Sequence, residues 1–473
     1  MLTYQDLKKC GDSESQRISF IYTAISKHED SIEFKIGHKA GQFYRHHDPN
    51  IEKFQRIVYD IKGRPQVDDV SPNHKIMCNF YAKLIDQAVE YLLGNGITFS
   101  DPDVKDELSK QLDHKIKKIV KYAANDGMGY GLVDVQKDGS KELIPMCFAC
   151  QIDGNEPYFI PLKDEHSGKL RAGIKYWRLA PTKPLMATLY EEDGYTEYQE
   201  YPGDNEEEPR LVVTKEKTSY IVNTLSNDQE GVYESTGKNY KALPIIEMGY
   251  INNQSSLVGN EGTLTAYNMA LSGFANQVDW NLLYWIINNA DSMSEQDDIN
   301  FLADIIKTHV LHVSGDASAT PHEINIQHQA RAELLDRLRI QLYEDMSGVD
   351  VSKNSANMTA TEIKSAYEAL NIKCDAMESY IDEFIAEMLD LLGYDGVSWS
   401  YQRDSTINLS EETTNAIAAA PYLGRKVTTQ RLAMAAGLID KLDDIEKDLA
   451  EEAIANAGIE LNSVIEEGEE NAE

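Results

Sequence analysis

The sequence predicts an α+β fold in which a mixed helix-and-strand region is joined to several long helices. Short alternating segments separated by Asp-Gly pairs fill residues 130–248, which is the pattern of antiparallel strands. Long apolar stripes with helical spacing lie before and after that region. The chain ends in an acidic, alanine-rich stretch, and we expect its last residues, EEGEENAE, to be disordered.

Charge and composition exclude several classes of protein. The 473 residues contain 45 Lys and Arg against 79 Asp and Glu, a formal net charge of −34. Such an acidic surface repels phosphate, which excludes the usual basic DNA-binding domain but allows a protein that DNA slides past. No run approaches the ~18 consecutive apolar residues of a membrane span and no secretory signal is recognisable, so we expect a soluble, intracellular protein. The five cysteines are too few, and odd in number, for a disulfide framework.

Two helices are expected before the strands. In residues 73–96 the apolar positions recur every four residues, and Gly94 stands where a left-handed C-cap would end the helix. A second helix is expected over residues 104–127. Its basic run favours a solvated face, with a basic contact patch as the alternative. The run consists of Lys115, Lys117, Lys118 and Lys121.

The strand region begins directly after the second helix. YGLVDVQKDGSKELIPMCFA alternates around Asp138-Gly139, which predicts a type I′ hairpin, and a second turn is expected at Asp193-Gly194. GMGYG, at residues 127–131, lacks the dinucleotide-binding spacing, so it predicts only a turn into the first strand. We therefore expect a mostly antiparallel sheet packed beside the early helices.

Long helices follow the strand region. From Asn260 the apolar spacing of three and four residues continues to Trp285, which predicts a helix of about 26 residues, or about 39 Å. A small α/β insert follows, with SEQDDINFLADIIK as a helix and THVLHVSG and HEINIQ as strands. ARAELLDRLRIQLYEDMSG then returns as a helix. A last long helix with a heptad stripe is expected from the capping box of Thr359 and Glu362 to about Leu392, before the strand VSWSYQRD.

Candidate metal-binding motifs are weak. Cys147 and Cys150 form a lone CxxC, which favours buried structural thiols over a zinc site because a second ligand pair is missing. His46 and His47 beside Asp48 favour exposed loop residues, with metal binding as the alternative. Four histidines cluster within the insert and favour polar residues on a half-exposed hairpin, with metal binding as the alternative. They are His309, His312, His322 and His328.

The order of these elements resembles that of the portal proteins, the head-to-tail connectors of tailed double-stranded DNA bacteriophages. NHKIMCNFYAKLIDQAVEYLLGNGITF resembles a helical stretch of that family, and NDGMGYGLVDVQKDG resembles the start of its wing strands. PIIEMGYINNQSSLVGNEGTLTAYNMALSGFANQVDW resembles the approach to its first stem helix. The Ser- and Asn-rich loop before TATEIKSAY resembles the loop that projects into the central tunnel.

The resemblance implies a phage portal fold with an α/β wing, a long helical stem, a small α/β clip insert, a tunnel loop and a helical C-terminal crown, assembled as a ring oligomer. In such a ring each stem helix leans on its neighbour and so buries its apolar stripe. The implied divisions are residues 1–259 (wing), 260–285 (stem helix), 286–328 (clip), 329–347 (stem helix), 348–358 (tunnel loop), 359–410 (long wing helix and returning strand) and 411–473 (crown and acidic tail).

The implied function is a structural channel with no active site, cofactor or metal. Twelve subunits would surround a channel at one capsid vertex, through which double-stranded DNA is packaged and ejected. The clip would dock the terminase large subunit and later a head-completion or adaptor protein. The ring would also contact major capsid and scaffolding proteins, but no membrane. The protein would belong to the virion and, during assembly, to the host cytoplasm.

Candidate DNA-contacting residues follow from the same resemblance. Lys353 is the only charged side chain between Ser352 and Met358, so we expect a ring of tunnel lysines, the alternative being that it keeps a flexible loop soluble. Neighbouring polar side chains offer hydrogen bonds to phosphate that carry no base information. They are Asn354, Ser355 and Asn357. Three arginines of the returning stem helix could face the channel or pair with acids between subunits. They are Arg331, Arg337 and Arg339.

The alternative function is a soluble metal-dependent phosphodiesterase or hydrolase that uses the acidic residues. It is less favoured because the sequence contains no Walker loop, G-x-S-x-G or H-E-x-x-H motif. Its carboxylates are also too abundant to single out an acid–base pair. Oligomeric mass separates the two functions, since such an enzyme is expected as a monomer or small oligomer.

Overall fold

The structure is a computed structural model, and the chain divides into two compact units. One unit comprises Met1–Asp350 and Ala369–Tyr401, and the other comprises Val351–Glu368 and Gln402–Glu473. The residues that the structure describes are 2–59, 63–68, 71–108, 111–135, 140–201, 210–225, 234–279, 283–288, 318–323, 328–350, 352, 360–403, 416–435, 442 and 445–449.

Helices begin and end the described chain, and strands occupy most of its middle. The helices are α1 (Tyr4–Lys9), α2 (Glu14–Asp30), α3 (Ile32–Tyr44), α4 (Pro49–Glu52), α5 (Phe80–Leu93), α6 (Asp103–Glu107), α7 (Leu112–Asp126), α8 (Glu261–Asp279), α9 (His328–Asp345), α10 (Ala360–Leu392) and α11 (Arg425–Ala435), with a 3-10 turn at Ile251–Asn253. The strands are β1 (Ile57–Tyr59), β2 (Pro65–Val67), β3 (Ile97–Phe99), β4 (Met128–Val135), β5 (Lys141–Cys147), β6 (Tyr158–Lys163), β7 (Leu170–Trp177), β8 (Met186–Glu191), β9 (Gly194–Tyr201), β10 (Arg210–Thr218), β11 (Ile221–Leu225), β12 (Glu234–Lys238), β13 (Ile245–Gly249), β14 (Leu283–Asn288), β15 (Ser318–Glu323) and β16 (Trp399–Tyr401).

Eight strands form one sheet in the order β10-β9-β8-β7-β6-β5-β4-β13. Neighbouring strands are antiparallel except β5 and β6. This confirms the antiparallel sheet that the sequence predicts, including the hairpins β4–β5 and β8–β9. The Asp138-Gly139 turn itself lies outside the described residues. Strand β6 is absent from the sequence predictions because YFIPLK is nearly continuously buried and lacks alternation.

The N-terminal helices α1 to α4 are not among the elements that the sequence predicts, yet they complete the core. α2 packs Phe20, Ile21 and Ala24 into a buried cluster with Leu162 of β6 and other residues of the sheet. A capping signal was available at Ser31, whose hydroxyl accepts the N–H of Phe34 at 3.1 Å at the start of α3.

Residues 73–79 are not helical, contrary to the prediction, and α5 begins at Phe80. Alternate backbone N–H groups of this segment donate to polar side chains of α8. These bonds join His74 N to Asn276 Oδ1 (2.6 Å), Ile76 N to Ser272 Oγ (2.9 Å) and Cys78 N to Asn268 Oδ1 (2.9 Å). The segment therefore runs extended along α8, because its donors are satisfied by another helix rather than by its own carbonyls.

The ends of α5 and α7 are set by glycines, one of them misassigned from the sequence. α5 ends at Leu93 as predicted, but Gly94 is right-handed with φ −54°. The left-handed residue is Gly96, with φ 77°. The predicted second helix is divided into α6 and α7, and Gly127, with φ 85°, ends α7 and leads directly into β4 as the GMGYG pattern predicts.

The basic run of α7 does not form a solvated face, so that prediction is wrong. Each lysine instead pairs with an acid of the same chain, and their side chains are only 11–26% exposed. The pairs are Lys115–Glu142, Lys117–Glu90 (2.8 Å), Lys118–Asp153 (2.5 Å) and Lys121–Asp86 (2.9 Å). The lysines therefore join α7 to α5, β5 and the loop after β5.

The first long helix is shorter than the sequence predicts. α8 ends at Asp279, and Trp285 lies in β14, which pairs antiparallel with β15. The error has a physical reason: LYWIIN is rich in aromatic and β-branched residues, which favour strands, and a short apolar run fits both periods. β15 contains His322, opposite Tyr284, and Glu323, the first two residues of the predicted strand HEINIQ, and the other four lie outside the described residues. The predicted helix SEQDDINFLADIIK and strand THVLHVSG lie outside the described residues.

The last long helix agrees with the prediction. α10 extends from Ala360 to Leu392, and Gly393 follows it with φ 84°. The central residues of both rows of its heptad stripe are buried, whereas Tyr367 and Leu391 are half-buried. The buried residues are Leu370, Met377 and Phe384, and Cys374, Ile381 and Met388. β16 then returns to pair with β3, so the strand predicted from VSWSYQRD is confirmed. Thr359 and the EEGEENAE tail lie outside the described residues.

Asp126, at the end of α7, holds the loop that contains the CxxC motif. Its Oδ2 accepts backbone N–H groups from Phe148, Ala149 and Cys150 at 2.9–3.2 Å. Burial raises the pKa of this carboxyl to about 6, although the three donors act in the opposite direction. Cys147 and Cys150 are fully buried, which confirms the prediction of buried thiols.

Helix α3 crosses this loop at very short range. A Cβ added to Gly41 would lie 1.5 Å from the carbonyl oxygen of Cys150, and one added to Gly37 would lie 2.2 Å from Asp126 Oδ1. Only glycine allows such an approach of helix to backbone. The loop after α3 carries His46 and His47, which are exposed as the sequence predicts.

Candidate functional site

The predicted tunnel loop begins where the chain leaves α9, and the structure describes the chain there up to Asp350. Ser347 adopts a left-handed backbone with φ 53°, and Gly348 N donates to Tyr343 O at 2.8 Å. A Cβ added to Gly348 would lie 2.3 Å from Leu84 Cδ2, so this turn is pressed onto α5. We call residues 346–350 the loop anchor.

Gln87 of α5 binds both backbone groups of one anchor residue. Its Nε2 donates to Val349 O at 2.9 Å, and its Oε1 accepts Val349 N–H at 2.9 Å. The Val349 side chain is 3% exposed, so both backbone groups lie where water cannot easily replace the amide. The Gln87 side-chain amide thus pairs with the N–H and C=O of Val349 as the backbone of a neighbouring strand would.

Two cations complete the anchor. Lys373 Nζ of α10 donates to Met346 O at 2.8 Å. Arg339 of α9 contacts Asp350 Oδ2 through Nη2 at 2.5 Å, and this hydrogen bond raises the pKa of the guanidinium. Helices α5, α9 and α10 therefore each contribute a side chain that fixes the chain before the loop.

Buried apolar side chains lie beneath these polar contacts. Leu342, Met346 and Val349 are at most 3% exposed. Tyr343 receives a hydrogen bond from Lys83 Nζ at 3.1 Å and packs edge-on against Phe80, with ring centroids 6.0 Å apart. The anchor is thus part of a packed core rather than of the loop itself.

The structure describes only the arginines among the predicted DNA-contacting residues. Lys353, Asn354, Ser355 and Asn357 lie outside the described residues. Arg339 pairs with Asp350 of its own chain, Arg331 is half-buried and Arg337 is exposed. For the last two, the described part of the chain supplies no ion pair. Their exposure to a channel therefore stays a prediction.

The long helices leave apolar residues uncovered in a single chain. Met269 and Val278 of α8 are 42% and 57% exposed, Leu334 of α9 is 49% exposed and Ile372 of α10 is 62% exposed. On α8 the residues Gly262, Ala266, Met269 and Gly273 share one helical face. Nothing described lies within 4 Å of a Cβ added to either glycine, so this face is open.

Metal, membrane and disulfide chemistry have no support in the described chain. No group of three or more His, Cys, Asp or Glu side chains there is arranged to hold a metal ion. Among the same residues, no helix has the length and apolar character needed to cross a bilayer. All five cysteines are described, and none of them forms a disulfide with another.

Comparison with known families decides the assignment. The family described as "Phage portal protein, SPP1 Gp6-like" matches residues 41–453, from within α3 to beyond α11. This chain belongs to the SPP1 Gp6-like family of phage portal proteins. The family predicted from the order of elements is therefore confirmed, and so is the mixed α and β character expected of the portal fold.

One portal protein matches this portal-family chain at low sequence identity. The portal protein of Bacillus phage SPP1 is 22% identical over 355 residues, which are 70% of this chain and 64% of that protein. The match thus spans just under two thirds of the relative's length.

Solved structures give distant matches. The neck of an empty gene transfer agent particle is 11% identical, with a TM-score of 0.40 over 75% of this chain and 90% of that chain. A HK97 family phage portal protein from Corynebacterium diphtheriae is 10% identical, with a TM-score of 0.34 over 68% of this chain and 90% of that chain.

Replacing Gln87 by alanine is expected to loosen the loop anchor. The change removes two hydrogen bonds and leaves the N–H and C=O of Val349 buried without a partner, a local cost of about 2 kcal/mol. Hydrogen exchange of the amides of residues 346–350 should speed up by about tenfold or more. Gln341→Ala is the matched control, because Gln341 is exposed and bonds to Asp345 one turn along α9. Equal exchange in both variants would contradict the anchoring role.

Proposed function

We propose that this chain assembles as the ring-shaped portal at one vertex of a phage capsid, through which double-stranded DNA is packaged and ejected. The observation that carries the proposal is the family match over residues 41–453, which includes every element from α4 to α11. The geometry of the long helices and of the loop anchor supports it independently.

The exposed apolar side chains of α8, α9 and α10 favour contact with other copies of this chain. Burying apolar surface contributes roughly 25 cal/mol per Å², so exposed apolar side chains on three long helices favour association. Small residues on the open face of α8 let another helix approach closely. A ring satisfies all copies equally, since each subunit offers one flank and receives another.

The charge of the chain suits a conduit rather than a binding site. Twelve copies would carry 12 × −34 = −408 formal charges. An acidic wall repels the duplex, so strong phosphate binding does not stall its movement. We infer that the few channel contacts come from the tunnel loop, with Lys353 as the cation and Asn354, Ser355 and Asn357 as uncharged donors and acceptors.

Partner assignments extend the same proposal. The clip, residues 286–328, docks the terminase large subunit during packaging and a head-completion or adaptor protein afterwards. The ring also meets major capsid and scaffolding proteins, first in the host cytoplasm and then in the virion. No observation among the described residues favours the alternative of a metal-dependent phosphodiesterase.

The mass of the assembly tests the proposal directly. With 53.3 kDa per subunit, native mass spectrometry of the purified chain should give a ring near 12 × 53.3, about 640 kDa. Negative-stain microscopy should show an axial hole. A 53.3 kDa monomer that hydrolyses phosphodiesters and loses that activity on chelation would overturn the portal function and establish the alternative.

A further inference from the structure

We propose that His28 is an acid-sensitive latch that holds helices α2 and α3 on the sheet while its ring is neutral and releases them when the ring takes up a proton. The inference is independent of the proposed ring, because all the groups involved lie in the larger unit of one chain. α2 and most of α3 precede residues 41–453, which match the portal family. The latch therefore joins a helical layer outside the matched residues to strands within them.

His28 lies at the interface between the two helices and the sheet. It occupies the last turn of α2 and is 1% exposed. Three aromatic rings meet its imidazole edge-on, and each comes from a different part of the chain. They are Phe34 of α3, Phe148 of the loop after β5 and Tyr176 of β7, with centroid distances of 4.9, 4.3 and 5.8 Å. The imidazole thus contacts both the helical side and the sheet side of this interface.

One ring nitrogen of His28 has a hydrogen-bond partner, and the other has none. Nδ1 lies 3.0 Å from the hydroxyl oxygen of Tyr176, whereas Nε2 is buried and receives no partner from the described residues. The Tyr176 hydroxyl also bonds the Glu29 carboxylate. Because an ionised carboxylate only accepts hydrogen bonds, the single hydroxyl proton of Tyr176 is directed to Glu29. The neutral imidazole therefore carries its hydrogen on Nδ1 and donates it to the tyrosine oxygen, which leaves Nε2 as a lone pair.

A proton added to Nε2 would place a positive charge in this interface without an acid to pair with. In the described chain, titratable and charged groups of each neighbouring element lie around the residues that surround His28, and Tyr176 is the one that bonds the imidazole. They are Glu29 of α2, His38 of α3, Asp126 of α7, Tyr158 of β6, Tyr176 of β7 and Arg178 just after β7. Burial lowers the pKa of His28 from its ordinary 6.5 to about 3, without a compensating attraction from these groups. Release of the helices lets water solvate the imidazolium, so protonation favours the released state.

His28 weakens the packing of α2 and α3 as the pH falls. Released His28 has the ordinary pKa of 6.5, whereas packed His28 has a pKa of about 3. Its contribution to packing is therefore fully present above pH 6.5 and is lost as the pH falls from 6.5 towards 3. From this group alone, the equilibrium constant for release should be about thirtyfold higher at pH 5 than at pH 8. Burial raises the pKa of the Glu29 and Asp126 carboxyls, which favours packing at low pH, so the share of His28 is measured as a difference between variants.

Hydrogen exchange of the full-length chain at pH 8 and pH 5 tests the latch. Two variants remove the titrating group: His28→Phe keeps an aromatic ring, and His28→Asn keeps a nitrogen close to the place of Nδ1. Protection factors remove the intrinsic effect of pH on exchange. On that scale the amides of α2 and α3 should lose about thirtyfold more protection in the wild type than in either variant. His166→Phe, at an exposed position between β6 and β7, is the matched control and should behave as the wild type.

The location of the change separates a latch from general acid unfolding. Protection in α2 and α3 should fall while β4 and α10 keep theirs. An equal loss in the wild type and in both His28 variants would overturn the proposal, and so would a wild-type loss that is as large in β4 as in α2. Binding of a hydrophobic dye gives a second readout, because release uncovers Phe20, Ile21 and Ala24. Dye fluorescence should rise at pH 5 more in the wild type than in either variant, and an equal rise in all three chains counts against the latch. The ring mass tests the proposed function separately.

Discussion

Replacing Gly41 by alanine is expected to lower the free energy of unfolding of the larger unit by about 3 kcal/mol or more. The new Cβ would lie 1.5 Å from the carbonyl oxygen of Cys150, and it would also meet the Cys150 carbonyl carbon at 2.5 Å. Both neighbours are backbone atoms of a loop that Asp126 fixes through three N–H groups. The loop cannot retreat without breaking those bonds, so α3 and the loop must separate.

Gly262 in α8 supplies the matched control for this change. It is also a helical glycine, but nothing described lies within 4 Å of an added Cβ. In dissociated subunits, where no neighbouring copy covers α8, Gly262→Ala should therefore gain up to about 1 kcal/mol from helix propensity. Urea unfolding followed by circular dichroism compares the two variants, provided that the unfolding is reversible. A Gly41→Ala chain as stable as Gly262→Ala would mean that the loop at Cys150 adapts freely.

Elements with a long, regular apolar period are the ones that sequence reasoning places best. In α10 the seven-residue spacing of Leu370, Met377 and Phe384 repeats often enough to fix both type and boundaries. All three side chains are at most 2% exposed, and the helix ends at the residue before Gly393. The hairpin at Asp193-Gly194 is equally local, since its turn residues and alternation are adjacent in sequence.

Short apolar runs and contacts between distant segments cannot be predicted from local periodicity. The run around Trp285 satisfies a helical and a strand period at once, and only its pairing with β15 decides between them. Residues 73–79 look helical because Ile76 continues the stripe of α5. Their N–H groups are taken by α8, about 200 residues away, which no local pattern reveals.

The candidate site also combines local features, which the sequence predicts, with a contact between distant segments, which it does not. The polar loop and Lys353 are visible in the sequence because charge and Ser/Asn composition are local properties. Gln87, by contrast, looks like one polar residue of an amphipathic helix. Its partner Val349 is 262 residues further along the chain, so the anchor emerges only when α5, α9 and α10 have packed.

Replacing Lys353 by glutamate is expected to reduce DNA packaging strongly while leaving ring formation intact. In a twelve-membered ring the change replaces twelve cations in the expected tunnel loops with twelve anions, which repel the duplex phosphates. The effect should weaken as salt rises, since the interaction is screened over roughly 10 Å at 0.1 M. Packaged DNA per capsid, measured after nuclease treatment, is the readout.

Lys353→Arg is the matched control, because it keeps the charge and should package near the wild-type level. The design separates the two roles open to this lysine. If it guides DNA, glutamate and arginine differ widely; if it only keeps the loop soluble, glutamate serves as well as lysine. Neither variant changes the loop anchor. Gln87, Arg339 and Lys373 bind residues 346–350 through contacts that do not involve Lys353. Equal packaging by all three proteins, with ring mass unchanged, would remove Lys353 from the DNA path and leave the ring itself standing.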